Sequence, residues 1–243
     1  MAYNSYRPSQ SSTPVVLNLI IINVIVFVAQ NVFDKTFGLT NILALYSYDT
    51  GLFKPYQLIT CMFAHGSIWH ILFNMYALWL FGSSLERLWG PKKFLIFYFV
   101  CGIFSGLTQM FLVSHGEAIG ASGAIMGLIA AFAYTFPNMQ FYIIPIPFPI
   151  KAKYLAVIAA VIDLFGGFEG GGDVAHFAHL GGLAMGCILC LLLKSAGRSK
   201  YEENNFVFFN GMIGVALNGL EIYTIQHQLS IPLGKRPVDL KAI

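Results

Sequence analysis

Ser122 lies in Gly120–Ala121–Ser122–Gly123, where a polar stretch gives way to the apolar run Ala124–Phe136. A serine becomes a nucleophile when a neighbouring base takes its proton. The base this chain offers is His179, in Ala178–His179–Leu180–Gly181–Gly182, at the mouth of another apolar run. A serine that opens a helix also has unpaired backbone N–H groups and the positive end of the helix dipole beside it. Both favour a developing oxyanion. His70 and Asn74 are four residues apart, so they share one helix face, and both can donate to that oxygen. The chemistry suggested is attack of a hydroxyl on a carbonyl. Each residue alone has a plainer reading: serine bonding a helix carbonyl, histidine or asparagine joining helices.

Glycines accompany both reacting residues. Gly123 and Gly127 form a small-xxx-small pair, and Gly182 and Gly186 follow His179 at i+3 and i+7. Such grooves let two helices approach closely, which is what a histidine needs to reach a serine on its neighbour.

The elements that must do the positioning are membrane helices. The chain is 57% hydrophobic and 10% charged, against about 25% charged in a soluble domain. The apolar runs are Val15–Phe33, Ile71–Trp89, Phe94–Val113, Ser122–Phe136, Tyr154–Phe165 and Val174–Leu193. The expected fold is all-α, a polytopic six-helix bundle. The fourth and fifth runs fall short of the roughly 20 residues that span a bilayer, so an end of each should stop below the surface. Ser122–Phe136 is about 22 Å long as a helix, against a hydrocarbon core near 30 Å. Val15–Phe33 is too long for a signal-peptide core, so a retained first helix is expected. Phe206–Ile225 is apolar but interrupted by Asn210, Asn218 and Glu221; a surface-lying or poorly ordered tail is expected over a seventh span. Residues 1–14 should be a cytoplasmic segment, 15–195 the membrane domain and 196–243 the tail.

Through residue 200, nine Lys and Arg flank one side (Arg7, Arg87, Lys92, Lys93, Lys151, Lys153, Lys194, Arg198, Lys200), and two, Lys35 and Lys54, the other. The positive-inside rule then puts the N-terminus in the cytoplasm. Helices two, four and six all enter from the outer face, so His70, Asn74, Ser122 and His179 fall at similar depth. Polar groups at one depth on three helices suggest a shared functional cavity.

The motifs resemble those of the rhomboid family of intramembrane serine proteases. His65–Gly–Ser–Ile–Trp–His70–Ile–Leu–Phe–Asn74 resembles the family's HxxxxHxxxN, Gly120–Ala–Ser122–Gly123 its GxSG, and His179–Leu–Gly–Gly182–Leu–Ala–Met–Gly186 its HxxGxxxG. The resemblance implies a six-helix rhomboid core, Ser122 as nucleophile and His179 as base, acting as a dyad. It also implies an oxyanion hole from His70, Asn74 and the Ser122 N–H. His176 lacks the glycine spacing that marks His179, and His65 is expected to anchor the preceding loop. Transmembrane protein substrates in a lipid bilayer are implied, with no cofactor, metal or nucleic acid. The fifth helix and Gly166–Asp173 resemble a gate and cap. Two departures stand out. Tyr56–Gln57 replaces a Trp-Arg pair, so loop rigidity should differ, and Met126 occupies a tyrosine position beside the histidine.

Rival readings are weaker. Gly170–Gly171–Gly172–Asp173 matches the GxGD of presenilin-type proteases, but outside an apolar run, and Asp163, the intramembrane aspartate, has no suitable context. No aspartate is expected as a third catalytic member. His176 and His179 have no HExxH or acidic ligand partner, which disfavours a metal hydrolase. A transporter would call for an inverted repeat, and none is visible. A catalytically silent, client-binding relative typically loses the serine or histidine. Cys61, Cys101, Cys187 and Cys190 suggest no disulfide framework; Cys187–Cys190 reads as small buried hydrophobes. The compact form suggests a bacterial cell membrane, with the site opening to the extracytoplasmic side.

Overall fold

The computed structural model describes residues 13–142, 149–169 and 175–196. Six principal helices appear in it: α1 (Pro14–Phe37), α2 (Ile68–Trp89), α3 (Pro91–Leu112), α4 (Ser122–Thr135), α5 (Ala152–Glu169) and α6 (His176–Ala196). Of these, α1, α2, α3 and α6 are long and apolar enough to cross a membrane. The fold is that of an all-α polytopic membrane protein. The candidate seventh helix and the Gly170–Asp173 motif lie outside the described residues.

Local sequence explains the boundaries. Pro14 and Pro91 each open a helix at the position where a missing N–H costs nothing. Gly38, at φ 62°, ends α1 in the left-handed conformation that glycine adopts freely. On α1 the buried residues Val16, Leu19, Asn23 and Gln30 fall on one stripe, while Leu17, Ile25, Val28 and Val32 remain exposed as a lipid-facing surface. A π segment, Leu78–Gly82, interrupts α2 where Gly82 lies against Val16 and Phe94.

The core is a seam of helices α3, α4 and α6. A side chain at Gly182 would strike the Gly123 carbonyl, and one at Gly186 the Gly127 backbone, so α4 and α6 meet backbone to backbone. On the other face of α4, Gly123 and Gly127 receive Ser105 and Cys101 of α3. The four glycines thus fix the distance between the helices that carry the serine and the histidine.

Short pieces brace the loops. β1 (Leu45–Tyr46) pairs antiparallel with β2 (Glu117–Ala118), and β3 (Gln140–Phe141) with β4 (Ile150–Lys151). Ser47 and Gly116 exchange hydrogen bonds beside the first pair: Ser47 N–H to Gly116 O, and Gly116 N–H to Ser47 Oγ.

Two expectations need correction. Helix α5 is longer than Tyr154–Phe165, running through Glu169, so part of the stretch read as a glycine loop is helical. It continues because Gly166 packs against α6, where a side chain would meet the His176 ring. In the loop carrying Tyr56–Gln57 the ties made by Gln57 are neutral. Gln57 is buried, accepts from Lys54 N–H at 2.9 Å and donates to Leu52 O at 3.4 Å, an amide clamp on its own loop. All four cysteines are free thiols; Cys187 is exposed rather than buried.

Candidate active site

Ser122 is the first residue of α4, and His179 lies in the first turn of α6. The glycine seam sets the two helices so that His179 Nε2 stands 2.7 Å from Ser122 Oγ. The cap position before Ser122 is Ala121, which has no side-chain acceptor for the first-turn N–H groups. Gly120, at φ +121°, turns the chain into the helix, and its N–H donates to Cys61 O at 2.8 Å. A Cβ there would come 2.7 Å from His70 Nε2, so this ring lies directly over the serine loop.

His70 is partly exposed near the start of α2, where Ser67 Oγ accepts from its backbone N–H. Its Nδ1 accepts from Gly66 N–H at 3.4 Å, which leaves Nε2 as the protonated nitrogen of the neutral ring. Asn74 is buried, and its Nδ2 donates one hydrogen to His70 O at 3.0 Å. The second amide hydrogen is left for another acceptor. His70, Asn74, Ser122, His176 and His179 all line a cavity of about 1060 Å³. Four of these, His70, Asn74, Ser122 and His179, are the residues expected to face one cavity.

His65 does not line that cavity. It is buried, its N–H donates to Gln30 Oε1 on α1 at 3.0 Å, and its ring packs edge-on against His70 at 5.0 Å. Burial, then the neighbouring His70, lowers its pKa from 6.5 to about 4. Met126 is buried one turn below Ser122.

The structure overturns one expectation at the site. Asp163, set aside from the sequence, stands beside His179: its Oδ1 receives His179 Nδ1 at 2.9 Å and His176 Nδ1 at 2.8 Å. A third group is therefore in line with the serine and histidine, on α5. The spacing between residues 163 and 179 carried no helical or strand period to announce it. The available signal was general: an acid inside an apolar run demands a partner. Gln109 was also missed; its Oε1 accepts from Ala178 N–H at 3.2 Å and joins α3 to the first turn of α6.

A helical membrane bundle with a serine at a helix start, a histidine on its oxygen and a lined cavity defines the class: a polytopic membrane protein with a serine–histidine site. A family model described as the Rhomboid domain matches residues 52–196. The chain is 30% identical over 212 residues to the RHOMBOID-like protein 12, mitochondrial, of Arabidopsis thaliana, covering 79% of this chain and 61% of that protein. It is 33% identical over 154 residues to the Rhomboid protein 1, mitochondrial, of Saccharomyces cerevisiae, covering 60% and 44%. It is 33% identical over 129 residues to the Presenilin-associated rhomboid-like protein, mitochondrial, of Homo sapiens, covering 51% and 34%. The alignments thus span about a third to three-fifths of these relatives. This chain belongs to the rhomboid family.

Proposed function

We propose that this chain is an intramembrane serine endopeptidase that cuts other proteins in or near their transmembrane segments. The observation that supports the reading is the 2.7 Å contact between His179 Nε2 and Ser122 Oγ at the edge of an open cavity. His179 takes the Ser122 proton as Oγ attacks the peptide carbonyl. The oxygen that becomes anionic is held by the Ser122 N–H, His70 Nε2 and the second Asn74 amide hydrogen. The C–N bond breaks, and His179 returns the proton to the leaving amine. Water then attacks the acyl-enzyme, giving its proton to His179, and the acid product leaves as Ser122 regains its hydrogen.

The fourth helix supports access of water to this depth. With 14 residues it is about 21 Å long, short of a core near 30 Å. Its serine end then lies below the surface, under a solvent-filled depression. The Lys and Arg distribution supports an N-terminus on the cytoplasmic side and a site opening to the opposite face. A bacterial inner membrane was expected, whereas the relatives carry mitochondrial names.

The test is cleavage of a single-span substrate by purified protein in liposomes, with and without Ser122→Ala. Cleavage and fluorophosphonate labelling of the native protein are expected, both lost by at least 10³-fold in Ser122→Ala. Cleavage that survives the substitution would sink the serine mechanism. Client binding without any cleavage would favour the silent, binding-only alternative.

A further inference from the structure

We propose that Asp163 is a positioning residue for His179, fixing the imidazole tautomer and orientation in which Nε2 can accept the Ser122 proton. The inference rests on the protease reading above and extends it from two residues to three.

The geometry carries the argument. A carboxylate can only accept, so the 2.9 Å contact makes His179 Nδ1 the donor. The neutral ring then has its lone pair on Nε2, the atom 2.7 Å from Ser122 Oγ. The imidazole is thus held from both ends by α5 and α4. Once it takes the serine proton, the adjacent carboxylate faces the positive charge that forms. Asp163 is 5% exposed, in a helix whose other residues from Tyr154 to Phe165 are uncharged. An acid there is costly unless partnered, and its partners are two histidines of α6.

His176 has a different part. Its Nδ1 shares Asp163 Oδ1 at 2.8 Å, and its ring lies against Gly166, one turn along α5. Nothing aligns it with Ser122. It buttresses the carboxylate: both histidines donate to the same oxygen, so His176 helps hold Oδ1 where His179 Nδ1 meets it. The resulting order in the chain is Ser122, Asp163, His179.

A purely structural tie between α5 and α6 would also account for a buried Asp–His pair, so the test must separate the two. Full-length protein in detergent is assayed for kcat, KM and the fluorophosphonate labelling rate as wild type, Asp163→Asn and Asp163→Glu. Asp163→Asn is expected to lower kcat and labelling by roughly 10²–10⁴-fold, with KM within about twofold and the thermal midpoint close to wild type. Asp163→Glu is expected to recover at least about tenfold over the amide. A second readout needs no variant at Asp163. In ¹⁵N-histidine protein, His179 Nδ1 should carry a strongly downfield proton, retained in Ser122→Ala and absent from His179→Ala. Wild-type kcat in a folded Asp163→Asn, or no Nδ1 proton on wild-type His179, would overturn the proposal. Failure of wild type to label or cleave overturns the protease reading, and this inference with it; the resonance tells the two failures apart.

Discussion

At one end of the bundle the N-terminus of α1 is closed by a carboxylate; at the other the N-terminus of α4 is left open to a cavity. Glu86, buried near the end of α2, accepts from Val15 N–H and Val16 N–H, both at 2.9 Å. Those are first-turn donors with no carbonyl of their own helix to bond, and an anion beside the positive dipole end satisfies them. Helix α6 is served similarly by Gln109, and α2 by Ser67. Helix α4 begins after Ala121, and its first residue, Ser122, lines the chamber. The same physics that makes Glu86 a good cap makes the start of α4 a good place for a transient oxyanion. The two ends differ in whether the protein supplies the negative charge or, on the proposed mechanism, leaves its place to a reacting group.

Substitutions can break this comparison from either side. The largest effects belong to the open end. On the proposed mechanism, His70→Ala and Asn74→Ala should each lower kcat by about 10²–10³-fold with little change in KM, because each would remove a donor to the developing charge. Steady-state kinetics on the same single-span substrate check this; a loss confined to KM would place these residues in substrate binding instead.

Next comes acidification, which should loosen the open end first. The unfolded loop protonates His65 near pH 6.5 and the folded loop only near pH 4. The folded loop is therefore most stable above pH 6.5, weakens as pH falls through that window, and levels off below it. The full loss is roughly 3 kcal/mol, one pKa unit being about 1.4 kcal/mol. Proteolytic nicking between residues 45 and 66 should rise at pH 4.5 relative to pH 7.5 once corrected for protease activity, and His65→Asn should flatten the difference.

At the closed end, Glu86→Gln should cost about 1–3 kcal/mol, since one first-turn N–H loses its acceptor in a buried place. The thermal midpoint in detergent should fall while kcat per folded molecule stays at the wild-type value. A catalytic defect without a stability defect would erase the distinction between the ends. The smallest effect is expected of Gln57→Ala, about 0.5–1.5 kcal/mol, chiefly from the 2.9 Å bond to Lys54 N–H, the 3.4 Å one to Leu52 O adding little, read as faster hydrogen exchange at residues 52–57.

Much of this was legible in the residues. Apolar runs announce helices because a membrane leaves the backbone no other partner. The motifs around Ser122, His179, His70 and Asn74 point to one chamber because each lies at a helix start on the same side. The contacts of Glu86, Gln109 and Asp163 could not be read this way. Each joins two different helices, and neither 3.6-residue periodicity nor hydropathy records which side chains of two helices will meet.

The sequence by itself determined the class of protein, the order of the six apolar helices found among the described residues, and the serine and histidine of the candidate site. Only the tertiary structure decided that α5 brings Asp163 to His179, that Gln57 clamps its loop, and that one helix start is capped while another stays open. The physical reason is the glycine seam. Backbone contact at Gly123–Gly182 and Gly127–Gly186 sets the separation of α4 and α6, and with it the reach of His179 to Ser122.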